Sequence, residues 1–250
     1  MQRSALDPAL DATVAACREL IAARFPDTAD RGAADRLPDG GTGVGAVSDG
    51  RRVEQPHRPP LHGATGPVPG GMIDPVRIRQ ATANDAPRIA EVHVRSWQGG
   101  YLGQLPEAFL AALDPGQRAE RWHAILTNPA GPTERTLVAE EPGHEESGEV
   151  QGFVSIGPSR DPGTPRSVGE VWSLYVTPAA WGAGVGRRLM SAALEALRAG
   201  GWTSATLWVL ATNARAIGFY EATGWMADGA AKEIELAGGT RTELRYGRTL

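Results

Sequence analysis

Val171-Trp172-Ser173-Leu174-Tyr175-Val176-Thr177-Pro178-Ala179-Ala180-Trp181-Gly182-Ala183-Gly184-Val185-Gly186-Arg187-Arg188 is the stretch on which the fold turns. Its first part is a run of β-branched, aromatic and apolar residues, which predicts a buried strand over Val168–Val176. Its last part opens a strongly amphipathic helix, predicted over Arg187–Leu197. Between them stand three glycines at alternate positions, Gly182, Gly184 and Gly186. Glycine lets backbone approach a ligand closely and turn its N–H groups inward, and the helix start adds unpaired N–H groups at the positive end of its dipole. Phosphate suits that arrangement; a turn that serves no ligand is the plain alternative. Two other phosphate motifs fail here. A P-loop needs Lys and then Ser or Thr after its last glycine, and neither follows Gly186. A dinucleotide fingerprint starting at Gly184 needs glycine where Leu189 stands.

Working outward, Asn213-Ala214-Arg215-Ala216-Ile217-Gly218-Phe219-Tyr220-Glu221-Ala222-Thr223-Gly224-Trp225 predicts a short capped helix. Asn213 is its N-cap, Ile217 and Tyr220 face the core, and Gly224 is the stop. Strands are predicted at Val76–Arg79, Thr136–Ala139, Val150–Ile156 and Thr203–Leu210. Helices are predicted after the Asn84/Asp85 cap, with Ile89, Val92 and Trp97 on one face, and at Pro106–Leu113 and Gly116–Leu126. The segment Ile234–Arg248 reads as a hairpin bent at Gly238-Gly239. Mixed strands with two βα passes imply one α/β domain over residues 74–250, with Val168–Val176 and Thr203–Leu210 as parallel neighbours.

The first 73 residues read differently. Pro8–Phe25 carries one helical pattern in Leu10, Val14, Cys17 and Ile21. From Leu37 to Gly71, 15 of 35 positions are Gly or Pro. Such a stretch buries too little surface to offset its ordering entropy, so residues 1–73 are expected to be a short helix plus a largely disordered extension. Net charge is −4, without the basic surplus of a nucleic-acid binder. The single cysteine, Cys17, excludes an intrachain disulfide and a multi-cysteine metal site, and the five histidines are scattered, so no metal is expected. No apolar run reaches membrane-spanning length and no signal peptide is visible, so the expected location is cytoplasmic, away from membranes.

Together the two quoted segments resemble the GCN5-related N-acetyltransferase (GNAT) superfamily over about residues 76–248. Its acyl-CoA motif, [QR]-x-x-G-x-[GA] after a strand, is matched at Trp181 to Gly186. Its later motif, an Asn before a helix that carries Phe-Tyr and ends in Gly-aromatic, is matched at Asn213 to Trp225. Val94 to Gln98, Tyr101, Leu105-Pro106 and Arg121-Trp122 also look like bacterial members. One departure is that Trp181 stands where the family has Gln or Arg.

The resemblance implies a mixed, mostly antiparallel sheet whose two central parallel strands splay apart, flanked by helices. It implies acetyl transfer from acetyl-CoA to a primary amine, small molecule or peptide, by direct attack in a ternary complex. A non-catalytic CoA-binding module and a different acyl-CoA are the alternatives. It further implies pantetheine pairing with backbone at Leu174 and Val176, and an oxyanion N–H near Tyr175 or Val176. Pyrophosphate is then expected on Gly182, Ala183, Gly184, Val185, Gly186 and Arg187. Asn213 is expected on the pantetheine arm and Tyr220 at the thioester sulfur. A homodimer is a further possibility that the resemblance raises.

A general base is sought among the carboxylates. Glu170 shares simple strand alternation with Leu174 and Val176 and could accept a proton through water; an exposed strand-end carboxylate is the other reading. His93 and His123 are rivals on helices. Trp97 and Tyr101 either wall an acceptor pocket or anchor a helix pair.

Overall fold

The computed structural model describes residues 76–129, 131–141 and 148–250. The predicted helix at Pro8–Phe25 and the Gly/Pro-rich stretch lie outside the described residues. Seven strands form one sheet: β1 (Arg77–Gln80), β2 (Arg135–Glu140), β3 (Val150–Pro158), β4 (Val168–Val176), β5 (Ser204–Leu210), β6 (Met226–Leu236) and β7 (Gly239–Thr249). Their order is β1-β2-β3-β4-β5-β7-β6, and only β4 and β5 run parallel.

Among the described residues five α-helices flank the sheet: α1 (Ala86–Gly100), α2 (Glu107–Ala111), α3 (Pro115–Thr127), α4 (Val185–Ala199) and α5 (Ala214–Ala222). Helix α4 buries Val185, Leu189, Met190, Ala193, Leu194 and Leu197, a stripe at helical spacing, against one face of the sheet. Helices α1 and α3 cover the other face through Ile89, Val92 and Trp122, which pack with Phe153 of β3. Their starts follow from local chemistry. Pro115 opens α3 where its missing N–H costs nothing, and the Asp114 side chain accepts from Gly116 N at 2.7 Å. Ahead of α1, Asp85 accepts from the Thr82 N–H at 2.8 Å and from its hydroxyl at 3.0 Å.

Two features of β4 set up the site. The first is a bulge. Ser173 pairs with Ser155 and Val171 with Ile156, so Trp172 is an extra residue on β4. A bulge inverts the inside-outside alternation of everything beyond it. Val171, Leu174 and Val176 therefore share the α4 face, whereas Glu170 and Tyr175 lie on the α1 face. The second is the splay. β4 and β5 pair only at Val168–Ser204, Gly169–Ala205 and Glu170–Thr206, and then separate. Beyond Glu170 the backbone edge of β4 faces a gap.

The hairpin differs from its expected form. Its turn is Ala237-Gly238, with φ of 55° and 76°, and β6 reaches back to Met226. Both turn residues are left-handed, as tight hairpins require, and the alanine made the position hard to see. The first half of β6 is mostly exposed and rich in Ala, Asp and Gly, so no alternating pattern marks it.

Candidate functional site

The gap opens into a cavity of about 430 Å³ running from the β4 edge to the glycine loop and α5. Backbone direction along β4 follows from one bond: the Thr177 N–H donates to Gln151 O on β3 at 2.8 Å. Since N–H and C=O groups alternate sides along a strand, Tyr175 also points to β3 while Leu174 and Val176 point into the gap. The oxyanion N–H expected near Tyr175 or Val176 is thus available from Val176 and not from Tyr175. The Val176 carbonyl already accepts from Ser96 Oγ at 2.9 Å and from Trp181 Nε1 at 2.8 Å.

The glycine loop is built for close approach. Gly182 and Gly184 have φ of 81° and 84°, a left-handed conformation that a side chain resists. Helix α4 begins at Val185, two residues earlier than the sequence pattern implied, with Gly184 as its N-cap. Its first N–H groups therefore lie within the loop itself. Gly186 is close-packed, since a Cβ there would sit 3.4 Å from the Phe219 ring.

Most predicted binding residues come together. Leu174, Tyr175, Val176, Trp181, Gly182, Gly184, Gly186, Arg187, Asn213 and Tyr220 all line the cavity. Ala183 and Val185 are not among its lining residues: the Ala183 side chain is exposed, and Val185 is buried in the core. Asn213 caps α5, accepting from Ala216 N at 3.1 Å. Tyr220 is buried on α5 with its ring near Phe219, Trp225 and Tyr246. Trp181 is held on its face by the Arg215 guanidinium, 4.3 Å from the ring centroid.

The remaining candidates separate. Glu170 is neither exposed nor on the face of Leu174 and Val176, because the bulge intervenes. One oxygen accepts from Arg160 NH2 at 2.7 Å and the other from the Arg160 backbone N–H at 2.8 Å, and Glu170 is not among the cavity-lining residues. His93 is buried, stacked on Tyr175 at 4.7 Å and packed beside Arg118. His123 is exposed on α3. Trp97 belongs to the apolar cluster joining α1, α2 and the hairpin, whereas Tyr101, edge-on to it at 5.1 Å, reaches the cavity.

Sequence reasoning missed Ser173, Trp208 and Glu243, which line the cavity on the α1 face. Glu243 is buried on β7, opposite Leu210. The part of its strand from Thr240 to Arg245 is polar except for Leu244, with nothing to mark Glu243 as buried until the register is known. Among the described residues, no group of three or more His, Cys, Asp or Glu could hold a metal, and no helix is long and apolar enough to cross a membrane.

The chain is similar to known proteins. A family model described as the acetyltransferase (GNAT) family matches residues 97–225. Over 147 residues the chain is 31% identical to a Bacillus subtilis (strain 168) protein called uncharacterized N-acetyltransferase YuaI, a match spanning 59% of this chain and 78% of that one. The crystal structure of ribosomal-protein-alanine N-acetyltransferase from Brucella melitensis superposes with a TM-score of 0.53 at 25% identity, over 70% of this chain and 100% of that one. YncA of Salmonella typhimurium, solved with its cofactor acetyl-CoA, gives 0.50 at 22% identity over 70% and 94%, a likeness of fold.

Proposed function

Because the chain belongs to the GNAT acetyltransferase family, we propose that it moves the acetyl group of acetyl-CoA to a primary amine by direct attack in a ternary complex. The observation that carries this reading is one cavity joining a left-handed glycine loop, an unpaired strand edge and the Tyr220 side chain. Pyrophosphate sits on the N–H groups from Gly182 to Arg187, helped by the dipole of α4. Pantetheine lies along β4 like an added strand, pairing with Leu174 and with the Val176 N–H. The Val176 carbonyl is already engaged, so Trp181 and Ser96 fix the strand end rather than leave it to the ligand.

The amine loses one proton to solvent and its nitrogen attacks the thioester carbon. The Val176 N–H stabilises the oxyanion. The C–S bond then breaks, and sulfur takes the Tyr220 phenolic proton. The second amine proton returns to the phenolate through water, which restores the enzyme. Glu170 is left out because both of its oxygens are held by Arg160.

A thiol-release assay with acetyl-CoA and a panel of primary amines and amino-terminal peptides tests the reading. Amine-dependent release of CoA is expected. Calorimetric binding of acetyl-CoA without release for any acceptor would mark a CoA-binding module instead.

A further inference from the structure

Lys232 is the only lysine in the sequence, and its ammonium is held beside the proposed site. Nζ lies 3.4 Å from Glu243 Oε2 and 4.0 Å from the centroid of the Trp208 ring. Glu243 and Trp208 both line the cavity, while the Lys232 side chain is 42% exposed on strand β6. Trp208 is fixed in place, since its Nε1 donates to Asp161 at 2.9 Å. A buried carboxylate beside an aromatic face is a cage for an alkyl ammonium, and here a flexible, half-exposed side chain fills it. In the same cavity Ser173 Oγ is more than nine-tenths buried and has no hydrogen-bond partner among the described residues. A polar group left in that state points to a ligand that completes it.

The position of the cage decides what it holds. β5 pairs with β4 only as far as Thr206 opposite Glu170, and Trp208 and Leu210 stand beyond that point, across the gap from Leu174 and Val176. Leu210 pairs in turn with Glu243. The cage therefore shares the cavity with the β4 edge where the thioester is proposed to lie, on the far side of the gap and one strand beyond β5. An attacking nitrogen must be neutral, and a carboxylate cage would keep its proton on. The cage suits a second cationic group, carried a few methylenes from the reacting amine.

Resting on the acetyl-transfer reading, we propose that Glu243 and Trp208 form a subsite for the distal ammonium of a diamine-type acceptor, for which the Lys232 side chain stands in. Ser173, on β4 in the same cavity, takes a hydrogen bond from the acceptor. Displacement of Lys232 is the cost of binding, so the lysine tunes affinity.

Calorimetric titration of cadaverine and of pentylamine, with and without CoA present, tests this without relying on turnover. Wild-type protein is expected to bind cadaverine roughly tenfold or more tightly than pentylamine. Glu243→Gln is expected to erase that preference, and Lys232→Met to strengthen cadaverine binding several-fold. Equal affinity for the two amines, or a preference that survives Glu243→Gln in a folded variant, overturns the subsite. Should Glu243→Gln not fold, Lys232→Met decides alone, and unchanged or weaker cadaverine binding overturns it. If CoA itself does not bind, the acetyl-transfer reading fails separately, and the titrations without CoA still decide the subsite.

Discussion

In the proposed reaction Tyr220 carries the chemistry most directly. A thiolate with an unperturbed pKa of about 8.5 leaves more readily when protonated. A phenol of pKa about 10 still holds its proton at neutral pH. Tyr220→Phe keeps the ring and its packing against Trp225 and Tyr246, so acetyl-CoA affinity should hold while kcat falls by roughly tenfold or more. Steady-state kinetics beside calorimetry check this; normal kcat would assign the proton to water. Gly184 is the second residue to vary. Open space surrounds its Cβ direction, so Gly184→Val meets no protein atom and pays only left-handed strain of about 1–2 kcal/mol. The same side chain points where the proposed reading puts phosphate, so acetyl-CoA affinity should drop by an order of magnitude or more on calorimetry. A folded variant with unchanged affinity would remove the phosphate loop. Gly182, Gly184, the Asn213 cap and Gly224 were legible because each owes its identity to local backbone geometry. Glu243 and Ser173 were not, because which face they occupy depends on strand pairings far away in sequence.

At the scale of elements, the sequence pattern located β2 to β5 and α4 within a residue or two, since each has a buried stripe or run. The bulge at Trp172 left no such trace, and it is what separates Glu170 from the face of Leu174 and Val176. A different tie fixes β1, β2 and the start of α1. Arg79 donates to Asp85 through NH1 and NH2, each at 2.8 Å, and to Glu140 through Nε at 2.8 Å. Burial would push the Asp85 carboxyl up, but Arg79 and Thr82 outweigh it and hold the pKa at about 2. The Arg79 hydrogen bond lowers Glu140 as well. A carboxyl depressed in the folded state adds stability above its unfolded pKa and loses it as pH falls through the folded one. Wild-type stability should therefore decline as pH drops from about 3.8 to about 2. Arg79→Ala leaves two buried carboxylates unpaired and should cost about 3 kcal/mol at neutral pH, with a flatter acid limb. Urea titrations across pH measure both; an unchanged acid limb would make the triad an ornament of the surface.

For the whole molecule, the family resemblance supplied the splayed sheet in advance, while strand order beyond β5 awaited the structure: β7 lies between β5 and β6, so a sequential hairpin supplies the neighbour of β5 from its second strand. Among the described residues, those that line the cavity fall between Ser96 and Glu243. Deleting residues 1–70 should accordingly leave the melting temperature and acetyl-CoA affinity unchanged within error; insolubility or lost affinity would give that segment a part in the core or the site. The central claim is a single acetyl-transfer cavity, and a crystal structure of the full chain with acetyl-CoA tests it most directly. Pyrophosphate oxygens are expected on the N–H groups of Gly182 to Arg187, pantetheine along Leu174 and Val176, and the thioester sulfur within hydrogen-bonding reach of the Tyr220 hydroxyl. Acetyl-CoA bound elsewhere, or in this cavity with its sulfur remote from Tyr220, would contradict it.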